Sequence, residues 1–528
     1  MSVIVIGSGI AGVNAALTLL EKGKKVELWD VGFLDNTDDQ KLSNIKSNLD
    51  FKKELNKPYE FFYGKNLNGI ISPGSNNLFS LPENRNYYLK EDSKFWNFNQ
   101  NKFDLVTSLS MGGLANGWGA NSIPFNDDDI SDWPISFSDL YDDYKRVYSR
   151  IDVTKSDDEL SPFYNEFGNQ ENIKLEPSDE YILNKYNRKK KYFNEKKIIL
   201  GKARLAITND KNDNNFLSRP LWVSNEKIYN PIHTLRKCKE YKNFKYLNNR
   251  LIKYLIVDED HISGINYFNT LTKKIINEKI NSNILLAAGA IQSGSIYLNT
   301  LKKNDQYEIL NKNLTGLMDT SVVKIFYSLP RMLGSKYLDN NYQFNRLIAG
   351  VINENNNWPS YLHCEMLNLN DLTYHPLIEK LPFGSFLSKE LFFSLRKTLG
   401  VMTLFFPDKL NKKNHLSVND KEEFLIDLNY QENDEKKIFI KKNTLKVKNA
   451  LLRLGAIPFM VKAYKPGSGI HYAGTIPMGK KLSCDSKGKS NFFNNLYIAD
   501  SSAFPSLPSK PISINTAAYA SYVASNLK

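Results

Sequence analysis

Val3-Ile4-Val5-Ile6-Gly7-Ser8-Gly9-Ile10-Ala11-Gly12, close to the start of the chain, is the stretch whose reading decides the fold. Four apolar residues in a row are the signature of a strand buried on both faces of a parallel sheet, and Gly7 ends the run. Val13, Leu17 and Leu20 then recur at helical spacing, Gly23 stands where a C-terminal cap belongs, and Val26, Leu28 and Asp30 form the next strand. The unit is therefore βαβ, with a complete GxGxxG between strand and helix. The three glycines serve different ends. Gly7 permits the tight turn, Gly9 lets the backbone approach a pyrophosphate, and Gly12 lets the helix pack closely on the strand. The helix N-terminus offers N–H groups to phosphate, and the Asp30 carboxylate can accept from a ribose hydroxyl. A dinucleotide site follows, with flavin and nicotinamide both open at this point.

A second glycine-rich stretch, Ser110-Met111-Gly112-Gly113-Leu114-Ala115-Asn116-Gly117-Trp118-Gly119-Ala120, is too dense in glycine for a good helix or strand and suits backbone laid against a flat ligand. Downstream of Asp132-Trp133-Pro134-Ile135, Ser136 and Asp139 have capping-box spacing, and Phe137, Leu140, Tyr144, Val147 and Ile151 form one apolar helical stripe, which is core. Residues 246–283 alternate short β segments with polar turns. Residues 284–288 then form a buried strand, Gly289 breaks it, and a helix begins at Ala290, so the chain is expected to return to the first sheet. Residues 320–465 carry strand-like and aromatic-rich runs without a phosphate-type loop and read as a substrate domain. Towards the C-terminus, residues 496–499 form a buried strand presenting Asp500 at its end, where ligands bind in open α/β sheets, and small residues from Thr516 begin a terminal helix.

With 528 residues, the chain exceeds the ~250 to 300 over which one core keeps growing, and its 41% hydrophobic residues exclude global disorder. Cys238, Cys364 and Cys484 lie too far apart for a disulfide framework or thiolate metal site, so no metal is expected and a reducing, cytoplasmic compartment fits. The four-residue run at the N-terminus is too short for a secretory signal. No window approaches the ~20 apolar residues of a membrane span; the greasiest, residues 381–406, is broken by Lys389, Glu390, Arg396 and Lys397 and leaves only a peripheral membrane contact open. The net charge of +13 could suggest nucleic acid, but the basic run at residues 185–197 has no nucleic-acid motif around it and reads as a solvated face.

Taken together these segments resemble the glucose-methanol-choline (GMC) family of flavin oxidoreductases. The likeness is carried by the GxGxxG with Asp30, Met111 to Ala120 followed by Asp132-Trp133-Pro134-Ile135-Ser136, Ala287-Ala288-Gly289-Ala290, Gly316-Leu317-Met318-Asp319, His471-Tyr472-Ala473-Gly474-Thr475, and the stretch from Leu496 to Pro508. It implies an α/β fold: a Rossmann-like FAD-binding domain from residues 1–155, 226–319 and 466–528, and an α+β substrate domain with an antiparallel sheet from residues 156–225 and 320–465. It also implies an FAD held by Gly7, Gly9 and Gly12 at the pyrophosphate, Asp30 at the adenosine ribose and Leu251 or Ile252 at the adenine edge. Gly112, Gly113, Asn116, Trp118, Gly119 and Ala288 would complete the binding surface, with Asp500 near the ribityl chain. Some relatives attach the flavin covalently through a His in the second glycine stretch; Gly117 stands there, so non-covalent FAD is expected.

The resemblance makes His471 the active-site histidine, which would take the hydroxyl proton while hydride leaves the same carbon for the flavin. The sequence departs from the family at the partner position, usually Asn or His, which aligns with Pro511. Proline has neither side-chain hydrogen bond nor N–H to offer. Asn515, one turn on, is the expected substitute, with Ser513 and Lys510 as further candidates. The family's His after Asp319 is replaced by Thr320, a position expected to be structural. The expected function is oxidation of a CH–OH group on a small alcohol or sugar, with the electron acceptor unspecified. The rival expectations are a same-fold flavoprotein with non-redox chemistry on a sugar, and a non-catalytic FAD-binding protein.

Overall fold

The computed structural model describes residues 2–34, 97–99, 103–164, 167–208, 228–304, 313–335, 345–353, 358–368, 382–384, 387–388, 391, 394–419, 422–480 and 483–527. The opening unit forms as expected, with β1 (Ser2–Ile6), α1 (Ile10–Glu21) and β2 (Lys25–Trp29) in succession and the two strands parallel. Asn283–Leu286 pairs with the other side of β1, Leu496–Ile498 lies beyond it, and Phe244–Leu247 pairs with β2; all four pairings are parallel. Val5, Val26, Leu28, Leu285 and Leu286 are fully buried, as short apolar runs in a two-sided sheet require. The terminal helix Ser513–Asn526 packs along α1, joined to it by a bond between the Thr18 and Ser521 hydroxyls (2.9 Å). A three-stranded antiparallel sheet, Arg250–Asp258, His261–Asn269 and Lys274–Lys279, packs against helix Ala290–Lys303.

A second body is a six-stranded antiparallel sheet in the order Ile457–Ala463, Ser321–Ser328, Leu399–Phe406, Tyr361–Asn368, Leu347–Ile352, Ile198–Lys202. Strand alternation puts Val323, Ile325 and Tyr327 on the face covered by helix Asp434–Leu454, where they share a core with Phe439, Val447 and Leu451. The opposite face carries Phe405 and, directly across the register, His363; Glu365 follows two residues on.

Three segments are placed more finely by the structure than by the sequence. His415–Val418 and Leu425–Asn429, assigned to the substrate domain, instead form a four-stranded sheet with Asn313–Thr315 and Asn97–Asn99, and Leu416, Ile426 and Leu428 join the core of the parallel sheet. An alternating apolar pattern announces a half-buried strand but not which sheet takes it. Within the second glycine stretch, Gly113–Gly117 forms a 3₁₀ turn, because Gly112 at φ +87° lets the chain enter it. In the segment for which a peripheral membrane contact was left open, Leu399–Phe406 is an inner strand with Val401, Leu404 and Phe406 buried. Its apolarity is spent on the sheet. Residues 381, 385–386, 389–390 and 392–393 of that segment lie outside the described residues. No helix among the described residues is long and apolar enough to cross a membrane.

Candidate active site

The ends of β1, β2, Asn283–Leu286 and Leu496–Ile498 open on one cleft. Gly7 to Ala11, Asp30, Gly113, Leu251, Ile252, Ala287 to Ala290, Asp500 and Ser501 line it, so segments scattered over the whole chain meet at the C-terminal edge of the sheet. The three glycines of the first turn divide their work. Gly7 has φ +103°, and a Cβ there would stand 2.5 Å from the Ala287 carbonyl oxygen. A Cβ on Gly12 would fall 1.8 Å from the Gly7 carbonyl oxygen, which is why helix and turn can approach. Beside Gly9 nothing lies within 4 Å of a Cβ position, so its face looks onto empty cleft. α1 has no side-chain cap and no acidic residue in its first turn. Its unpaired N–H groups and positive dipole end therefore suit a pyrophosphate, and the cradle fits a dinucleotide.

Behind this turn a polar relay ties the two glycine stretches together. The Gly112 N–H donates to the Ser8 hydroxyl at 2.9 Å, the Ser8 hydroxyl bonds Asp30, and the Tyr246 hydroxyl donates to the same Asp30 oxygen at 3.1 Å. Burial pushes the Asp30 carboxyl up to about 6 against those donors. Asp30 itself lines the cleft, where a ribose would lie. Asn116, Trp118 and Gly119 do not line the cleft. Asn116 Nδ2 is tied to the Met111 carbonyl, and Trp118 Nε1 donates to the Tyr229 carbonyl at 2.8 Å, so these two residues buttress the stretch while Gly113 presents it. Asp500 does reach the cleft, but with all its capacity engaged. One oxygen takes the Gly289 N–H (2.8 Å) and Ser293 hydroxyl (2.5 Å), the other the Ser502 N–H (2.9 Å) and hydroxyl (2.5 Å). It pins Gly289, at φ +89°, at the start of Ala290–Lys303.

His471 does not itself line the cleft, but both its chain neighbours, Ile470 and Tyr472, do. Ile470 holds φ +57°, a conformation that a β-branched residue adopts only when its surroundings impose it, at a cost of about 1 to 3 kcal/mol. The restraint is Asp319. Its buried carboxylate accepts from the N–H groups of Gly467 (2.8 Å), Gly469 (3.2 Å) and His471 (3.3 Å), clasping the loop from both sides of the strained residue. His471 Nδ1 lies 3.1 Å from the hydroxyl of Thr320, which is fully buried, so Thr320 is a direct partner of the imidazole. The Phe405 ring stacks on His471 with centres 5.5 Å apart and also neighbours His363, at 5.9 Å. Burial drops His471 to about 4, opposed by the nearby negative charge of Glu365 and assisted by His363. The ring is neutral at pH 7.

Glu365 is held by Asn121 Nδ2 (2.7 Å) on one oxygen and Asn345 Nδ2 (2.6 Å) on the other, with His363 Nε2 3.3 Å away. Sequence reasoning missed Thr320, Asp319, His363 and Glu365 as parts of this environment. The available signals were Asp319-Thr320 closing one of the quoted motifs, and the two-residue spacing of His363 and Glu365, which puts them on one face of a strand.

Asn515, expected as the second catalytic group, has its amide fully engaged within the protein. Its Oδ1 accepts from the Phe125 N–H (2.7 Å) and Tyr144 hydroxyl (2.5 Å), its Nδ2 donates to the Ile123 (3.0 Å) and Pro511 (2.8 Å) carbonyls, and it is buried. Every valence is spent joining the last helix to the strand-like segment at Ile123. Lys510 is likewise engaged, with Asp129 Oδ2 at 2.5 Å and the Phe163 carbonyl at 2.7 Å. Of the substitutes considered, Ser513 alone lines the cleft.

The family model described as GMC oxidoreductase matches residues 417–520. Among solved structures, the chain is similar to pyridoxine 4-oxidase from Mesorbium loti, with a TM-score of 0.62 at 12% identity over 99% of this chain and 98% of that one. No curated protein matches the sequence. The stretch that matches the family model holds His471 and the first half of the terminal helix, and over its whole length the chain shares the fold of that solved structure.

Proposed function

We propose that the protein is an FAD-dependent oxidoreductase that oxidises a CH–OH group of an alcohol or sugar-type substrate, with FAD held non-covalently. The observation that carries this reading is the convergence of the first glycine turn, Asp30, Gly113, Ile252, Ala288 and Asp500 on one cleft, which Ile470 and Tyr472, the chain neighbours of a neutral imidazole, also line. When bound, FAD supplies the acceptor for the hydride. The protein's own part is to hold the phosphates at the start of α1, keep the cofactor against the glycine turns, and offer His471 for the hydroxyl proton.

Thr320 can accept from Nδ1–H. That tautomer leaves the Nε2 lone pair for the substrate. The Glu365 carboxylate favours the imidazolium once the proton arrives, so it assists the charged form that burial alone would oppose. Phe405 and the strained Ile470 loop fix the ring plane. The three cysteines, all buried and unpaired, fit the reducing cytoplasm.

A second reading, a flavoprotein silent in redox chemistry, is favoured by Pro511 and by the saturation of Asn515. One experiment separates them. Purified protein, refolded with excess FAD if needed, is mixed without oxygen with a panel of primary alcohols, pyridoxine and sugars. Bleaching of the yellow chromophore by a panel member, lost in His471→Ala while the colour stays, supports oxidation. A yellow protein bleached by none supports the silent reading, and a protein that takes up no flavin removes both.

A further inference from the structure

The basic run at residues 185–197 takes no part in the cleft, and the fold gives it a partner far away in sequence. It packs beside helix Asp434–Leu454: Lys189 Nζ donates to the Arg453 carbonyl at 2.8 Å, and the Arg453 guanidinium lies 5.3 Å from the centre of the Tyr192 ring. Lys446, whose Nζ is 3.4 Å from the Ile352 carbonyl, feels Lys442 on its own helix and Lys196 and Lys197 across the junction, and burial together with these cations lowers its pKa. Two segments therefore concentrate positive charge on one face. Acidic side chains temper it only in part: Lys190 pairs with Glu159, and Lys437 with Asp434.

The same helix face is apolar along its centre. Ile438, Leu445 and Leu452 recur every seven residues, hence on one stripe, and are 68%, 58% and 51% exposed. At 3.6 residues per turn Lys441 and Lys448 flank the stripe on one side, and Lys442 and Arg453 on the other. The chain then enters the edge strand Ile457–Ala463, where Phe459 and Met460 are also exposed. Of the sixteen exposed large hydrophobic side chains among the described residues, seven fall between residues 438 and 461, too many for scattered surface residues.

We infer that this face docks on an anionic lipid bilayer surface, the apolar stripe entering the headgroup boundary and the flanking lysines meeting lipid phosphates. Charge complementarity selects this occupant. A second copy packed by two-fold symmetry would set the lysine clusters against each other, and a nucleic acid would leave the central stripe without a role.

The test is sedimentation of the full chain with vesicles of phosphatidylglycerol and phosphatidylcholine, or of phosphatidylcholine alone. Expected is binding at least about tenfold stronger to the anionic vesicles, lost in roughly 1 M salt where screening is nearly complete. The variants K441E/K442E/K448E and L445S/L452S should each weaken it about tenfold or more, with melting temperature and flavin content unchanged. The inference is overturned by equal binding to neutral vesicles, by L445S/L452S binding as tightly as the parent, by heparin or DNA binding that survives L445S/L452S while vesicle binding is absent, or by a dimer that L445S/L452S dissociates.

Discussion

Replacing Thr320 by Val removes one oxygen and keeps the shape of a fully buried side chain, so the imidazole of His471 loses its Nδ1 partner and little else changes. Nδ1–H would then face an apolar methyl, and leaving a buried donor unpaired costs about 1 to 3 kcal/mol. The ring avoids that cost by moving its proton to Nε2, the atom that must take the substrate proton. The base-competent tautomer thus becomes rarer by the same free energy, a factor of about 5 to 150. The assay is the rate of flavin reduction by a bleaching substrate under anaerobic stopped flow, with flavin absorbance and melting temperature as controls. Thr320→Val should slow reduction within that range while retaining bound flavin, and Thr320→Ser, which keeps the hydroxyl, should restore most of the rate. Reduction by Thr320→Val within twofold of the parent, beside an inactive His471→Ala, would refute the tautomer argument.

Three further outcomes are expected. Gly12→Ala should lose about 2 kcal/mol or more in denaturant unfolding, because its Cβ would overlap the Gly7 carbonyl oxygen, whereas Gly9→Ala, at φ −63° with open space beside it, should fold normally yet lose most of its flavin. With His471 lowered to about 4, the unfolded chain binds a proton there between roughly pH 4 and 6.5 that the folded chain does not. That residue's share of stability is complete above 6.5 and lost as pH falls towards 4, and the reduction rate should show no inflection near 6.5; an inflection there would mean a solvated ring. Lys510→Met should cost about 3 to 5 kcal/mol by stranding the buried Asp129 carboxylate, and adding Asp129→Leu should recover much of it, measured by denaturant unfolding.

Much of the cofactor cradle was legible because its constraints are steric and local. Gly7 is required by its own positive φ and Gly12 by its approach to the Gly7 carbonyl, both set within the turn, and Asp30 follows the second strand wherever β1 and β2 lie side by side. The second glycine stretch was legible as a ligand-facing segment, but not which of its residues face inward. Gly113 does, while Asn116 and Trp118 turn away to bond Met111 and Tyr229. The internal bonding of Asn515 was hidden for a related reason: an amide that can serve a substrate can equally well bridge two segments, and only its neighbours tell the two apart.

The amino-acid order by itself pointed to a βαβ dinucleotide fold and to the return of later strands to its sheet, since both rest on periodicity or on a few contiguous residues, whereas His471 became the candidate base only through the resemblance that its motif carries. What stands around that base was decided by tertiary structure. Thr320 meets His471 across 151 positions of chain, and Phe405 and Glu365 arrive from neighbouring strands of another sheet. Such meetings depend on strand register and on how two bodies pack, which no local pattern encodes.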